Sequence, residues 1–139
     1  MIVPIAVSPN KLKIAEFGIA IQAPTGSNFN FVELNGTVGV QTADITTSPV
    51  ITLIVSRRLA SVSGSEKIIF TTTQTITGAS QQETITFNCV DGGVDGIIAS
   101  GAYGYALYVQ RSILLVEPAN PPFVHGPINF TGTSYVRGT

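Results

Sequence analysis

Residues 30–41, NFVELNGTVGVQ, alternate with a period of two: Val32, Leu34, Val38 and Val40 fall on one side, and Glu33, Asn35, Thr37 and Gln41 on the other. A helix cannot sort that spacing into two faces, so the segment is a strand with one buried and one wet side. Gly36 and Gly39 mark places where a bulge or a close backbone approach is expected. A strand with one apolar face needs a second layer to cover it, and the rest of the chain offers more segments of the same kind.

Residues 11–23, KLKIAEFGIAIQA, carry mixed signals. Leu12, Ile14 and Ala15 with Glu16 suit a helical turn, whereas Phe17, Ile19 and Ile21 alternate, so the strand is placed at 17–22. Residues 24–28, PTGSN, read as a loop. Residues 50–58, VITLIVSRR, are almost continuously apolar, as expected of a strand covered on both sides in mid-sheet. After a polar turn at 61–65, residues 67–77 put Ile68, Phe70, Thr72, Gln74 and Ile76 on one face and a row of Thr71, Thr73, Thr75 and Thr77 on the other. That row reads as an exposed β-branched face, the alternative being an array that orders water or stacks between subunits. Residues 83–90 point Ile85, Phe87 and Cys89 inward. Residues 101–111 set Tyr103, Tyr105, Leu107 and Val109 against Ala102, Gly104, Ala106 and Tyr108. Residues 117–123, EPANPPF, cannot hold a ladder, and a last strand follows with Ile128, Phe130, Tyr135 and Val136 and a bulge expected at Gly132. Seven or eight strands with turns between them predict an all-β fold, an antiparallel β-sandwich of jelly-roll or immunoglobulin-like topology. The Cys and Trp that mark true immunoglobulin domains are absent.

Residues 1–10, MIVPIAVSPN, stand apart as an arm before a single sandwich domain at 11–139. Ile2, Val3, Ile5, Ala6 and Val7 form strands readily, but Pro4 lacks the N–H that a central strand donates, which confines the arm to an edge. Either it adds a strand to its own domain or it completes a neighbouring subunit.

Size and charge narrow the function. A chain of 139 residues buries roughly 68% of the surface its unfolded form exposes, enough for a core without staples. Cys89 is the only cysteine, so no intrachain disulfide forms. Charged residues make up 11% of the chain, against roughly 25% in an average soluble domain, and the net charge is −1. Such a surface resists association poorly, and its basic residues read as scattered, which argues against nucleic acid. No apolar run reaches the roughly 18 residues of a membrane span, and residues 1–7 have no basic start of a signal peptide, so the chain is expected to be retained in the cytoplasm or released by lysis.

Chemistry is sparse. His125 has no nucleophile-elbow pattern to accompany it and reads as a surface residue. Cys89 reads as a small buried hydrophobe. Asp91 and Asp95, four apart among glycines, are short of ligands for a calcium loop and read as a glycine-rich turn. Asn35-Gly36-Thr37 and Asn129-Phe130-Thr131 match a glycosylation acceptor that has no use without secretion. Glu16, Glu33, Glu66, Glu83 and Glu117 fall one per segment, so no carboxylate pair is proposed. No catalytic group, cofactor or metal ligand can be named.

Phe17-Gly18-Ile19, the run Val32-Glu33-Leu34-Asn35-Gly36-Thr37-Val38-Gly39-Val40, residues 50–58, Gly101-Ala102-Tyr103-Gly104-Tyr105-Ala106-Leu107 and Gly126-Pro127-Ile128-Asn129-Phe130-Thr131-Gly132 resemble, in order, the small β-rich surface proteins of endospore-forming bacteria, among them exosporium proteins and endospore appendage fibre subunits. The resemblance implies a non-enzymatic structural protein, made without a signal peptide and placed on the spore surface when the mother cell lyses. Its partners would be copies of itself, joined head to tail through an N-terminal strand, and other spore coat or exosporium proteins. The arm lacks the Cys of disulfide-linked appendage subunits, which leaves non-covalent strand addition through Ile2, Val3, Ile5, Ala6 and Val7. The alternative expectation is a monomeric module that binds carbohydrate or another coat protein at its end loops or near Tyr103, Tyr105 and Tyr108.

Overall fold

A computed structural model of the chain describes residues 3–21, 29–42, 48–59, 66–76, 81–92, 101–114 and 121–137. The loop expected at 24–28, the turn at 61–65, Ile2, Thr77 and Asp95 lie outside them. The strands are β1 (Val3–Pro4), β2 (Ala6–Val7), β3 (Leu12–Ile21), β4 (Phe29–Thr42), β5 (Val50–Leu59), β6 (Lys67–Thr75), β7 (Gln81–Gly92), β8 (Gly101–Arg111) and β9 (Phe123–Arg137). One sheet runs β1-β9-β4-β7. In the other, β8 pairs with β5 on one edge and with β3 and the two residues of β2 on the opposite edge, and β6 closes the far side of β5. The long strands pair antiparallel throughout, and the chain passes repeatedly between sheets. Taking β1 and β3 as the first strand of each sheet, the order is that of a jelly roll.

The period-two segment lies in the middle of its sheet, between β9 and β7, and its apolar side meets the second sheet. Val32, Leu34, Val38 and Val40 are fully buried against Ile51, Leu53, Val55, Tyr105, Leu107 and Val109 in one core. The continuous apolar run of β5 has a matching reason: Ile54, on the outer face, is buried with Ala106 and Tyr108.

Four local expectations are corrected. The strand at 17–22 begins at Leu12, and a register shift between Lys13 and Ala15 accounts for the helix-like spacing of its first turn. Ile68 is 53% exposed, because a register shift opposite Val55 and Ser56 leaves Ile69 unpaired and turns Ile69 and Phe70 onto the core instead. Phe123 does join a ladder, paired with Gln41 and Pro4. Gly132 is no bulge. It pairs in register with Leu34, and a Cβ there would sit 2.5 Å from the Phe17 ring, so its lack of a side chain lets the two sheets close over that ring. The irregularity in β9 falls at 125–127, opposite Gly39, where a side chain on Gly39 would strike the Gly126 carbonyl and where Gly126 takes a φ of 91°.

Candidate functional site

The N-terminal arm is held by both sheets of its own subunit. Val3 and Pro4 pair with Val124 and Phe123 at the edge of β9, and Ala6 and Val7 pair parallel with Gln110 and Arg111 at the edge of β8. Between the two short ladders, Ile5 points inward, is 3% exposed and belongs to the core. Its amide donates to the Pro122 carbonyl at 3.0 Å, the Ser8 amide donates to the Arg111 carbonyl at 2.9 Å, and the Asn10 amide closes a turn on the Val7 carbonyl. Of the two expectations for the arm, this is the extra strand on its own domain. The segment is also less dispensable than an appendage, because Ile5 fills a core position. Beyond Val124, the outer edge of β9 has no strand partner among the described residues, and Val3, Leu12, Ile14, Val124 and Ile128 line an apolar groove of 130 Å³ beside it. Ile128, 46% exposed, keeps that seam partly open.

Asp91 is held by donors from the opposite sheet. From β7 it reaches across to the opposite sheet, where Arg57 donates to both its oxygens at 2.8 and 2.7 Å and the Tyr105 hydroxyl donates at 2.7 Å. With Asp91 only 7% exposed, this is a polar strap between the sheets. Burial, reinforced by the Asp91 carboxylate, pushes the Tyr105 phenol far above its ordinary range. Sequence reading put Asp91 in a loop because its two glycine neighbours hid that the strand continues to Gly92.

Among the described residues no group of three or more His, Cys, Asp or Glu side chains is gathered. His125 is exposed on β9, its ring 6.1 Å from that of Phe123. Thr71, Thr73 and Thr75 are exposed as an outward row. Tyr103 and Tyr105 face the core while Tyr108 lies on the outer face, so the three tyrosines form no common patch. Cys89 is half-buried, and burial first, then the nearby Asp91 charge, raises its thiol to about 11. At pH 8 its alkylation by iodoacetamide should run roughly 100-fold slower than that of a cysteine in an unfolded peptide, because thiolate is scarcer by about tenfold per pKa unit. A rate within tenfold of the peptide would contradict this placement.

The basic residues are less scattered than the sequence suggests. Lys11, Lys13 and Glu16 of β3 and its approach, Arg58 of β5, and Glu66 meet on the outer face of the second sheet around Tyr108. Glu66 accepts hydrogen bonds from Ser56 at 2.6 Å and from Tyr108 at 2.7 Å, and these hold its carboxyl below the usual carboxylate range. Separations of more than forty residues hide such a cluster from any local pattern; only the pairing of β3 and β5 with β8 assembles it. No protein-family model and no curated protein matches the chain.

Proposed function

We propose that the chain is a non-enzymatic structural subunit that assembles with copies of itself by exchanging the N-terminal arm, the residues Val3 to Val7 of one copy taking the seat on the next that they occupy in their own. The seat itself supports the exchange most directly: among the described residues the arm is held by two ladders of two residues each, the Ile5 and Ser8 amide hydrogen bonds and one buried isoleucine, all at sheet edges. Every one of those contacts is reproduced when an identical segment arrives from a neighbour, which is the condition for swapping without loss. The turn at Ser8 to Asn10 is where the chain would open. A head-to-tail contact of this kind gives a filament or, if its rotation closes, a ring.

Competition between closed and exchanged forms is a matter of concentration. A short tether presents its own arm at an effective concentration in the millimolar range, so exchange prevails where copies are crowded to that level, as in a surface layer. Low charge favours such crowding, with a net charge of −1 on 139 residues. The resemblance of residues 17–132 to endospore surface proteins supports a place on the spore, in the exosporium or an appendage, with other coat proteins as neighbours. Negative-stain electron microscopy of the purified protein at millimolar concentration should show fibres, rings or sheets, absent when residues 1–10 are deleted. Identical assemblies from the truncated protein would sink the proposal.

A further inference from the structure

The charged cluster on the outer face of the second sheet surrounds a cleft of 210 Å³ lined by Lys13, Glu16, Ser56, Arg58, Glu66 and Tyr108, with Gly104 and Ala106 as its floor. A second hollow of 360 Å³ shares Glu16, Arg58 and Gly104 with it. Five of the chain's fifteen charged residues, Lys11, Lys13, Glu16, Arg58 and Glu66, gather here. In a protein with so few charges, that concentration is out of proportion to the area.

Most of these groups are already positioned. Lys13 pairs with Glu16 at 3.2 Å, Lys11 stands 4.2 Å from the centre of the Tyr108 ring, and Oε1 of Glu66 is fixed by Ser56 and Tyr108. Arg58 is the exception. Its stem crosses Gly104, where a Cβ would approach its Nε to 3.2 Å, and its guanidinium makes no ion pair or hydrogen bond among the described residues. A planar fork of donors at the junction of two hollows suits a carboxylate, which it takes with two parallel bonds. Glu16, paired with Lys13, and Glu66, hydrogen-bonded to Ser56 and Tyr108 with the lysine charges nearby, have little to gain from a second ammonium but accept readily from neutral hydroxyls. Two carboxylates on the walls also count against a doubly charged phosphate. Hollows of this size, near or below the roughly 300–1,000 Å³ of drug-sized sites, fit a sugar ring.

We infer that this cleft binds a hydroxylated carboxylate of the sugar-acid class, the carboxylate on Arg58 and ring hydroxyls on Glu66 and Glu16. The ligand can be a free sugar acid or a uronate unit of an acidic polysaccharide, and the site is independent of arm exchange, since it shares no residue with the arm. The test is an NMR titration of the full chain, labelled with nitrogen-15, using D-glucuronate, D-glucose, inorganic phosphate and a uronate trisaccharide. Glucuronate should shift the amides of Gly104 and Ala106 and the Arg58 Nε–H saturably, at least tenfold more tightly than glucose or phosphate. Arg58→Gln should weaken it at least tenfold, while Glu83→Gln, on the other sheet, should leave it unchanged. A trisaccharide tighter than the monomer points to a polymer, and one that is weaker points to the free acid. Equal binding of glucuronate and glucose, phosphate binding as tightly as glucuronate, or an Arg58→Gln variant that binds glucuronate as the parent does, would overturn the assignment.

Discussion

Asp91→Ala should lower the free energy of unfolding by about 3 kcal/mol, read by urea denaturation, a large share of the roughly 5–15 kcal/mol that holds a domain of this size together. The alanine leaves the Arg57 charge and the Tyr105 hydroxyl, side by side on neighbouring strands of one sheet, without the carboxylate that both reach on the other. The loss sits at the lower end for a broken buried pair because the Arg57 side chain keeps 22% exposure, so water reaches part of the orphaned charge. Tyr105→Phe should cost less, about 1–2 kcal/mol, since Asp91 retains both bonds from Arg57. A loss below about 1 kcal/mol for Asp91→Ala would mean the strap contributes little. The same cluster sets an alkaline limit. The folded state raises the Tyr105 phenol above its ordinary value of 10.0, so its contribution is intact below that pH and is lost as pH rises above it. Tyr105 should therefore ionise only as the protein unfolds, which absorbance of phenolate against pH will show.

How much of this was legible depended on distance along the chain. The alternation of Val32, Leu34, Val38 and Val40 and of Tyr103, Tyr105, Leu107 and Val109 is a local signal, and it marked the two inner faces correctly. Bulges defeated it. At Lys13 to Ala15 and at Ile69 one extra residue shifts the phase, which made Leu12 to Glu16 resemble a helical turn and assigned Ile68 to the core. Glycine had two meanings that composition cannot separate: Gly132 gives way to a ring from the other sheet, while Gly126 turns the chain. The Asp91 strap and the cleft around Arg58 are tertiary facts, made of residues whose only link is the register of β7 against β4 and of β5 and β3 against β8.

Ile5→Asp should detach the arm. A carboxylate at a position 3% exposed cannot stay there, and two ladders of two residues are too short to keep it. The long ladders behind the arm pair with one another and not through it, so the expected cost is the arm's own docking energy, about 2–4 kcal/mol for one buried isoleucine and its neighbours. Deleting residues 1–10 should therefore give the same stability as Ile5→Asp within about 0.5 kcal/mol, and both should abolish assembly. A much larger loss from Ile5→Asp than from the deletion would show that the arm is bound more rigidly than its contacts suggest.

Where the arm of one copy sits in an assembly can be read directly. One batch carries Val3→Cys with Cys89→Ser, and a second carries Val124→Cys with Cys89→Ser. Residues 3 and 124 are register partners, with Cβ atoms of such pairs about 4.5–5.5 Å apart, close enough for a disulfide after a small adjustment at a chain end. Neither batch can close a bond between these two positions within one chain. Mixed at millimolar concentration under oxidising conditions, the two should give a heterodimer linked from position 3 to position 124, identified by mass spectrometry of the joined peptides. If the mixture yields no such linkage while a chain carrying both substitutions closes it internally, the arm stays on its own subunit and assembly by exchange is contradicted.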